Sequence, residues 1–133
     1  MILVDTSVLI DYLRGKENTK VKLLDEIIEK KISFGISPFV FQEILQGSKD
    51  QKEFDVLKEY LETIPLYNLL NGLESYAEAA RINFKCRKAG ITVRSTIDLL
   101  IVQTSIENKL ILLHNDSDFD HVQKVVGELK IYN

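Results

Sequence analysis

Met1-Ile-Leu-Val-Asp-Thr-Ser-Val-Leu-Ile-Asp11 is the stretch whose reading decides the fold. Ile2-Leu3-Val4 is a short apolar run rich in branched side chains, the composition of a buried strand. Thr6 or Ser7 is suited to cap a helix carrying Val8, Leu9, Tyr12 and Leu13. Asp5 is therefore expected where a buried strand hands over to a helix, and in open α/β sheets ligands gather at such strand ends. Taken alone, Asp5 reads more readily as a cap than as a metal ligand. The positions of the other acids change that balance.

The strand-to-helix pattern recurs along the chain. Gly15 is placed to stop the first helix, and residues 16–31 form a second with Val21, Leu24, Ile27 and Ile28 on one stripe. Residues 32–36 are expected as strand two. They end in Ser37-Pro38, an N-cap followed by proline at the first helical position, and the helix so opened runs through Leu45 to a stop at Gly47. Residues 50–63 are amphipathic, residues 65–69 a short strand or extended link, and Asn71 is expected to cap a long helix ending near Ala89 and Gly90. A helix over 97–107, capped by Ser95 or Thr96, is apolar almost all round and so is expected to be buried. Residues 109–113 read as a continuous apolar strand covered on both faces. A short helix near 120–126 and a last strand over 129–132 follow. This alternation implies a three-layer α/β/α fold with a mostly parallel central sheet and right-handed crossovers, with strand one, strand two and the Leu110 strand at its centre.

The 133 residues suffice for one domain, taken as 1–133. A hydrophobic content of 45% with 28% charge excludes a disordered chain. No apolar run approaches the roughly 18 residues of a membrane span, and the first apolar run has no basic residues before it, so neither a membrane partner nor a signal peptide is expected. Cytoplasm is the expected compartment. Cys86 is the sole cysteine and His114 and His121 the only histidines, which excludes an intrachain disulfide and leaves too few ligands for a zinc centre. The net charge of −3 argues mildly against a nucleic-acid binder, but the charge is unevenly spread. Residues 79–97 hold no acid, yet carry Arg81, Lys85, Arg87, Lys88 and Arg94. A basic stretch beside acids suits an enzyme that grips a polyanion; a solvated helix face is the plainer reading.

Four segments each deliver a carboxylate to an equivalent place: Asp5 after strand one, Glu43 in the helix after strand two, Asp98 at the start of the buried helix, and Asp116 with Asp118 after the Leu110 strand. In a parallel sheet these strand ends face one side, so the acids are expected to converge. Like charges so placed raise one another's pKa, and hard divalent ions relieve the repulsion. Such a cluster suits metal-assisted phosphodiester hydrolysis. No glycine-rich phosphate loop or nucleophile elbow competes with this reading. An aspartyl phosphatase needs a second Asp where Ser7 stands, and a receiver domain needs a second acid beside Asp5.

Val4-Asp-Thr-Ser7, the lone Glu43 in Ser37-Pro-Phe-Val-Phe-Gln-Glu-Ile-Leu45, Ile97-Asp-Leu-Leu-Ile101 and Leu112-Leu-His-Asn-Asp-Ser-Asp-Phe-Asp120 occur in one order across nearly the whole chain. This ordered set resembles the PIN-domain nucleases and, within them, the VapC-type toxins of toxin–antitoxin pairs. The resemblance implies an endoribonuclease dependent on Mg²⁺ or Mn²⁺, acting on a structured RNA such as a tRNA. It also implies a homodimer and a small antitoxin whose C-terminal segment lies in the active-site groove. Asp5, Glu43, Asp98 and Asp116 match the catalytic acids, and Asp5, Asp98, Asp116 and Asp118 are the implied metal ligands. Thr6, Ser7 and His114 take supporting places; Arg81, Lys85, Arg87, Lys88 and Arg94 are candidate RNA contacts. The alternative is a catalytically inactive module of the same fold that binds RNA or protein.

Overall fold

Strand β1 (Ile2–Val4) is buried at every residue, as its branched composition requires. The computed structural model describes residues 1–133. After β1 come α1 (Thr6–Leu13), α2 (Thr19–Glu29), β2 (Phe34–Gly35), α3 (Pro38–Gln46), α4 (Gln51–Leu61), α5 (Leu73–Lys88), α6 (Thr96–Glu107), β3 (Ile111–Leu113), α7 (Ser117–Val125) and β4 (Lys130–Ile131). The sheet order is β2-β1-β3-β4 and every pairing is parallel, so the sheet is wholly rather than mostly parallel. Register is set by Leu3 opposite Gly35 and Leu112, and by Leu112 opposite Ile131. No helix is long and apolar enough to cross a membrane.

Strand two was expected at the centre of the sheet. It lies at one edge, where the single bridge Ile36–Leu66 extends the pairing beyond it. Gly35 explains the close approach there: a Cβ on it would lie 2.5 Å from the Pro65 carbonyl oxygen and from the Tyr67 ring.

Right-handed crossovers fix the layers. The chain leaves β1 toward β2 in one direction and leaves β3 toward β4 in the other. Helices α1, α2, α3 and α4 form one packed group and α5, α6 and α7 another, one on each face of the sheet. Helix α6, buried from Leu99 to Ser105, carries no strong polar face and packs against α5 and β3. The direction of winding reverses between β1 and β3, so the crevice at a topological switch point opens at their carboxyl ends.

Caps account for the places where elements begin later or earlier than expected. Asn18 accepts a hydrogen bond from the Val21 amide, so α2 starts at Thr19 and residues 16–18 stay outside it. Asp116 accepts from the Asp118 amide at 2.9 Å and starts α7 at Ser117, three residues before the expected position. Helix α5 begins after Gly72, which has φ +55°. Asn71, the expected cap, instead donates its backbone N–H to Ser75 Oγ.

Candidate active site

Asp5 itself caps α1, a role for which the sequence offered Asp5 as well as Thr6 or Ser7. Its Oδ2 accepts from the Ser7 amide at 3.0 Å and from Ser7 Oγ at 2.6 Å. Ser7 Oγ in turn accepts from the Asn115 amide at 2.9 Å, joining the carboxyl ends of β1 and β3. One hydroxyl thus orients an acid on the first strand and holds the loop after the third. Thr6 Oγ1 points elsewhere and donates to Glu43 Oε1 at 2.9 Å, which binds the start of α1 to α3. Cap and ligand were alternatives for Asp5 in the sequence. The geometry makes it a cap by one oxygen, beside the other acids.

Asp98 stands in the first turn of α6, where the helix dipole favours an anion. Asp98, Asp116 and Asp118 each offer a carboxylate oxygen, and the three oxygens lie within 4.8 Å of one another. Partial burial and then the charges of Asp5, Asp116, Glu43 and Asp118 push the Asp98 carboxyl up to about 7. The other four acids thus all act on Asp98, and Asp5 acts on Glu43 as well. Burial also raises the pKa of Asp5, against the opposing pull of its Ser7 hydrogen bonds. Glu43 is raised by burial and by the charge of Asp5, with Thr6 opposing.

His114 follows β3 directly and is 2% exposed. Its Nδ1 accepts from the Asp116 amide at 3.1 Å, so that nitrogen is unprotonated and holds the turn that carries Asp116. Nε2 lies 3.2 Å from Asp120 Oδ1 without hydrogen-bond alignment. Burial lowers the His114 pKa, which keeps the ring neutral near pH 7. The ring packs on Phe119 at 5.0 Å between centroids.

The five basic residues separate. Arg94 reaches the acids: its Nε donates to Asp118 Oδ2 at 3.3 Å and its Nη2 to Asp118 Oδ1 at 3.2 Å. Arg81 is held on its own helix by Glu74 and Glu78. Arg87 lies 4.9 Å above the Phe84 ring, and Lys85 and Lys88 are exposed. Sequence reasoning missed Asn115, because a backbone amide carries no side-chain signal. Asp120 is exposed, but it is one helical turn from Asp116 and so faces back toward His114.

The donor set consists of carboxylate oxygens, with no thiolate near it, and carries unrelieved like charge. These properties fit a small, hard divalent cation at the converging oxygens of Asp98, Asp116 and Asp118, with the charge of Asp5 acting on Asp98.

Residues 2–125 match the family model described as PIN domain. The VapC ribonuclease Mb1587 of Mycobacterium bovis is 29% identical over 128 residues, covering 96% of this chain and 95% of that protein. Ribonuclease VapC11 of Mycobacterium tuberculosis matches with the same identity and coverage. VapBC2 from Rickettsia felis, solved bound to a DNA fragment from its promoter, aligns at a TM-score of 0.76 and 17% identity over 100% of this chain and 98% of that one. FitAcB from Neisseria gonorrhoeae aligns at 0.73 and 23%, over 100% and 97%. These two structures share the fold. The family model spans both central strands and every acid of the cluster, and on that match the chain belongs to the PIN domain family.

Proposed function

We propose that this chain is an endoribonuclease dependent on Mg²⁺ or Mn²⁺, the toxin of a toxin–antitoxin pair, acting on a structured RNA such as a tRNA. The observation that carries the reading is the shared field of the acids, in which the Asp98 carboxyl is pushed up to about 7 by burial and by four neighbouring carboxylates. A group of acids this repulsive is stable near neutral pH only with protons or cations among them. The ribonuclease names of the relatives support the choice of RNA.

Asp5, Asp98 and Asp116 would hold the ion. When bound, it supplies an acidified water and charge neutralisation on the phosphodiester. The chain does the rest. Ser7 fixes the Asp5 rotamer through two hydrogen bonds, and His114 fixes the Asp116 turn. Glu43, exposed and with a raised pKa, is placed to take a proton from the attacking water. Neutral His114 has Nδ1 committed to the Asp116 amide, so it positions rather than accepts protons.

Two partners complete the proposal, which assigns the protein to the cytoplasm. An antitoxin is supported by the VapBC complexes among the solved structures and by a cavity of about 570 Å³ between α1, α3 and α4, floored by Ile10, Leu13, Ile44, Val56 and Leu57. A homodimer is supported by Leu73, Tyr76 and Phe84, exposed on the face of α5 opposite buried Ser75, Ala79, Ile82 and Cys86. The same helix carries Glu74 and Glu78 toward one end and Lys85 and Lys88 toward the other, which match in an antiparallel pair.

The test is cleavage of total cellular RNA by purified protein, parent beside Asp5→Asn, with Mg²⁺, Mn²⁺ or EDTA. Discrete fragments that need the metal and vanish in Asp5→Asn are expected. Cleavage that survives the substitution, or its absence from metal-loaded parent, defeats the proposal.

A further inference from the structure

Asp118 is unlike its neighbours in the acid cluster. It is 7% exposed, yet both its oxygens are occupied by an arginine whose side chain is 74% exposed. The pairing is fork to fork, Nε and Nη2 against Oδ2 and Oδ1. A guanidinium has five N–H donors, and this contact uses two. The remaining donors turn away from Asp118. Arg94 lies four residues before Asp98 and feels the charges of Asp116 and Asp98 as well as that of Asp118. Its free edge therefore stands at the rim of the cluster.

We infer that Asp118 anchors Arg94 instead of ligating the metal, and that the free edge of Arg94 binds a phosphate oxygen of the nucleic acid beside the acids. The inference rests on the nuclease reading for the identity of the anion and deepens it. Charge supplies the first reason. A polyanion approaching five carboxylates is repelled, and among the basic residues of 79–97 Arg94 is the one that stands where the repulsion acts. Preorganisation supplies the second. An arginine fixed by a planar two-point contact gives up less freedom when it binds a phosphate than a free lysine such as Lys85 or Lys88 does. Division of labour is the third. Placing a divalent cation on Asp118 would press it against the guanidinium, whereas Asp98 and Asp116 have no cationic side chain bound to them. Asp118 is thus a positioning residue and Arg94 a substrate contact.

Two readouts test this, neither of which needs turnover. The first is Mn²⁺ affinity by calorimetry without RNA. Asp118→Asn is expected to stay within about threefold of the parent, while Asp98→Asn loses more than about tenfold. An equal loss in the two variants makes Asp118 a ligand and overturns the inference. The second is binding of a labelled RNA hairpin in EDTA across a salt series. Removing one phosphate contact lowers the slope of log Kd against log salt by about 0.7 to 0.9. Arg94→Gln is expected to show that drop; Asp118→Asn, which keeps the charge but frees it from its anchor, is expected to bind several-fold more weakly near the parent's slope, and the double variant to behave as Arg94→Gln. An unchanged slope in Arg94→Gln, or a parent that binds no RNA, overturns the subsite. Arg94→Lys keeps the charge without the fork, so it should bind several-fold more weakly at the parent's slope. Parental affinity in Arg94→Lys overturns the inference even where Asp118→Asn fails to fold. Parent protein that binds RNA in this way but never cuts it defeats the nuclease reading alone.

Discussion

Replacing Asp98 by Asn should stabilise the metal-free protein, and the gain should grow with pH. The folded-state carboxyl titrates near 7, against 3.8 for an ordinary aspartate. Because the folded pKa is raised, the unfolded chain loses this proton first as pH rises. The fold is therefore penalised from about pH 4 upward, and the penalty is complete just above about pH 7. A shift of this size sets a ceiling of about 4 kcal/mol, and solvent screening of a half-buried group reduces it to about 2 kcal/mol. The carboxamide that replaces the acid cannot ionise and keeps the shape of the side chain. In EDTA at about pH 8 the variant should melt about 6 °C above the parent, and at about pH 5 less than half of that gain should remain. The burial penalty on His114 acts equally in both proteins and cancels in the difference. Adding Mn²⁺ should reverse the order, since the parent gains binding energy that the variant lacks. Differential scanning calorimetry at the two pH values, with EDTA and with Mn²⁺, is the assay. A variant no more stable than the parent at high pH, or one with the same gain at both, refutes the argument from repulsion.

Three further outcomes are expected. Ser7→Ala removes the hydroxyl that joins Asp5 to the Asn115 amide, so urea denaturation should show a loss of about 1–3 kcal/mol, with weaker Mn²⁺ binding in a parallel titration; unchanged values in both would show that the bridge is incidental. Gly35→Ala drives a methyl into the Pro65 carbonyl and the Tyr67 ring, so a loss of about 2 kcal/mol or more in the same denaturation is expected, whereas tolerance would mean that the strand edge yields freely. Leu73→Glu with Phe84→Glu should convert a dimer to monomer in sedimentation, and a parent that is already monomeric removes the proposed pairing of α5.

The sequence showed the fold where one physical signal dominated. The Ile2–Val4 and Ile111–Leu113 runs had a single stable use, the interior of a parallel sheet, and the acids beyond them had to share one side of it. It failed where several residues competed for one job. Asp5, Thr6 and Ser7 can each cap a helix, and only packing shows that Asp5 does so while Thr6 turns to Glu43. Strand two looked central because its residues are apolar, but edge or centre is decided by pairing partners, and Gly35 trades a neighbouring strand for the Pro65–Tyr67 segment. The grip of Arg94 on Asp118 spans 24 residues and leaves no local trace. The acceptor role of His114 Nδ1 depends on a backbone amide that the side-chain alphabet does not record.

The bond from the Asn115 amide to Ser7 Oγ spans 108 residues. Together with the β1–β3 pairing, it means that the cluster has no partial form. Asp5 is made early and Asp116 late, and until strand β3 exists the first acid has no companion across the crevice. Such a long-range closure is slow, because the loop entropy is lost before the contact forms. A chain still being synthesised therefore carries its acids as separate, harmless residues. The nuclease proposed above would thus gain its site in one step, when the ends of the sheet meet.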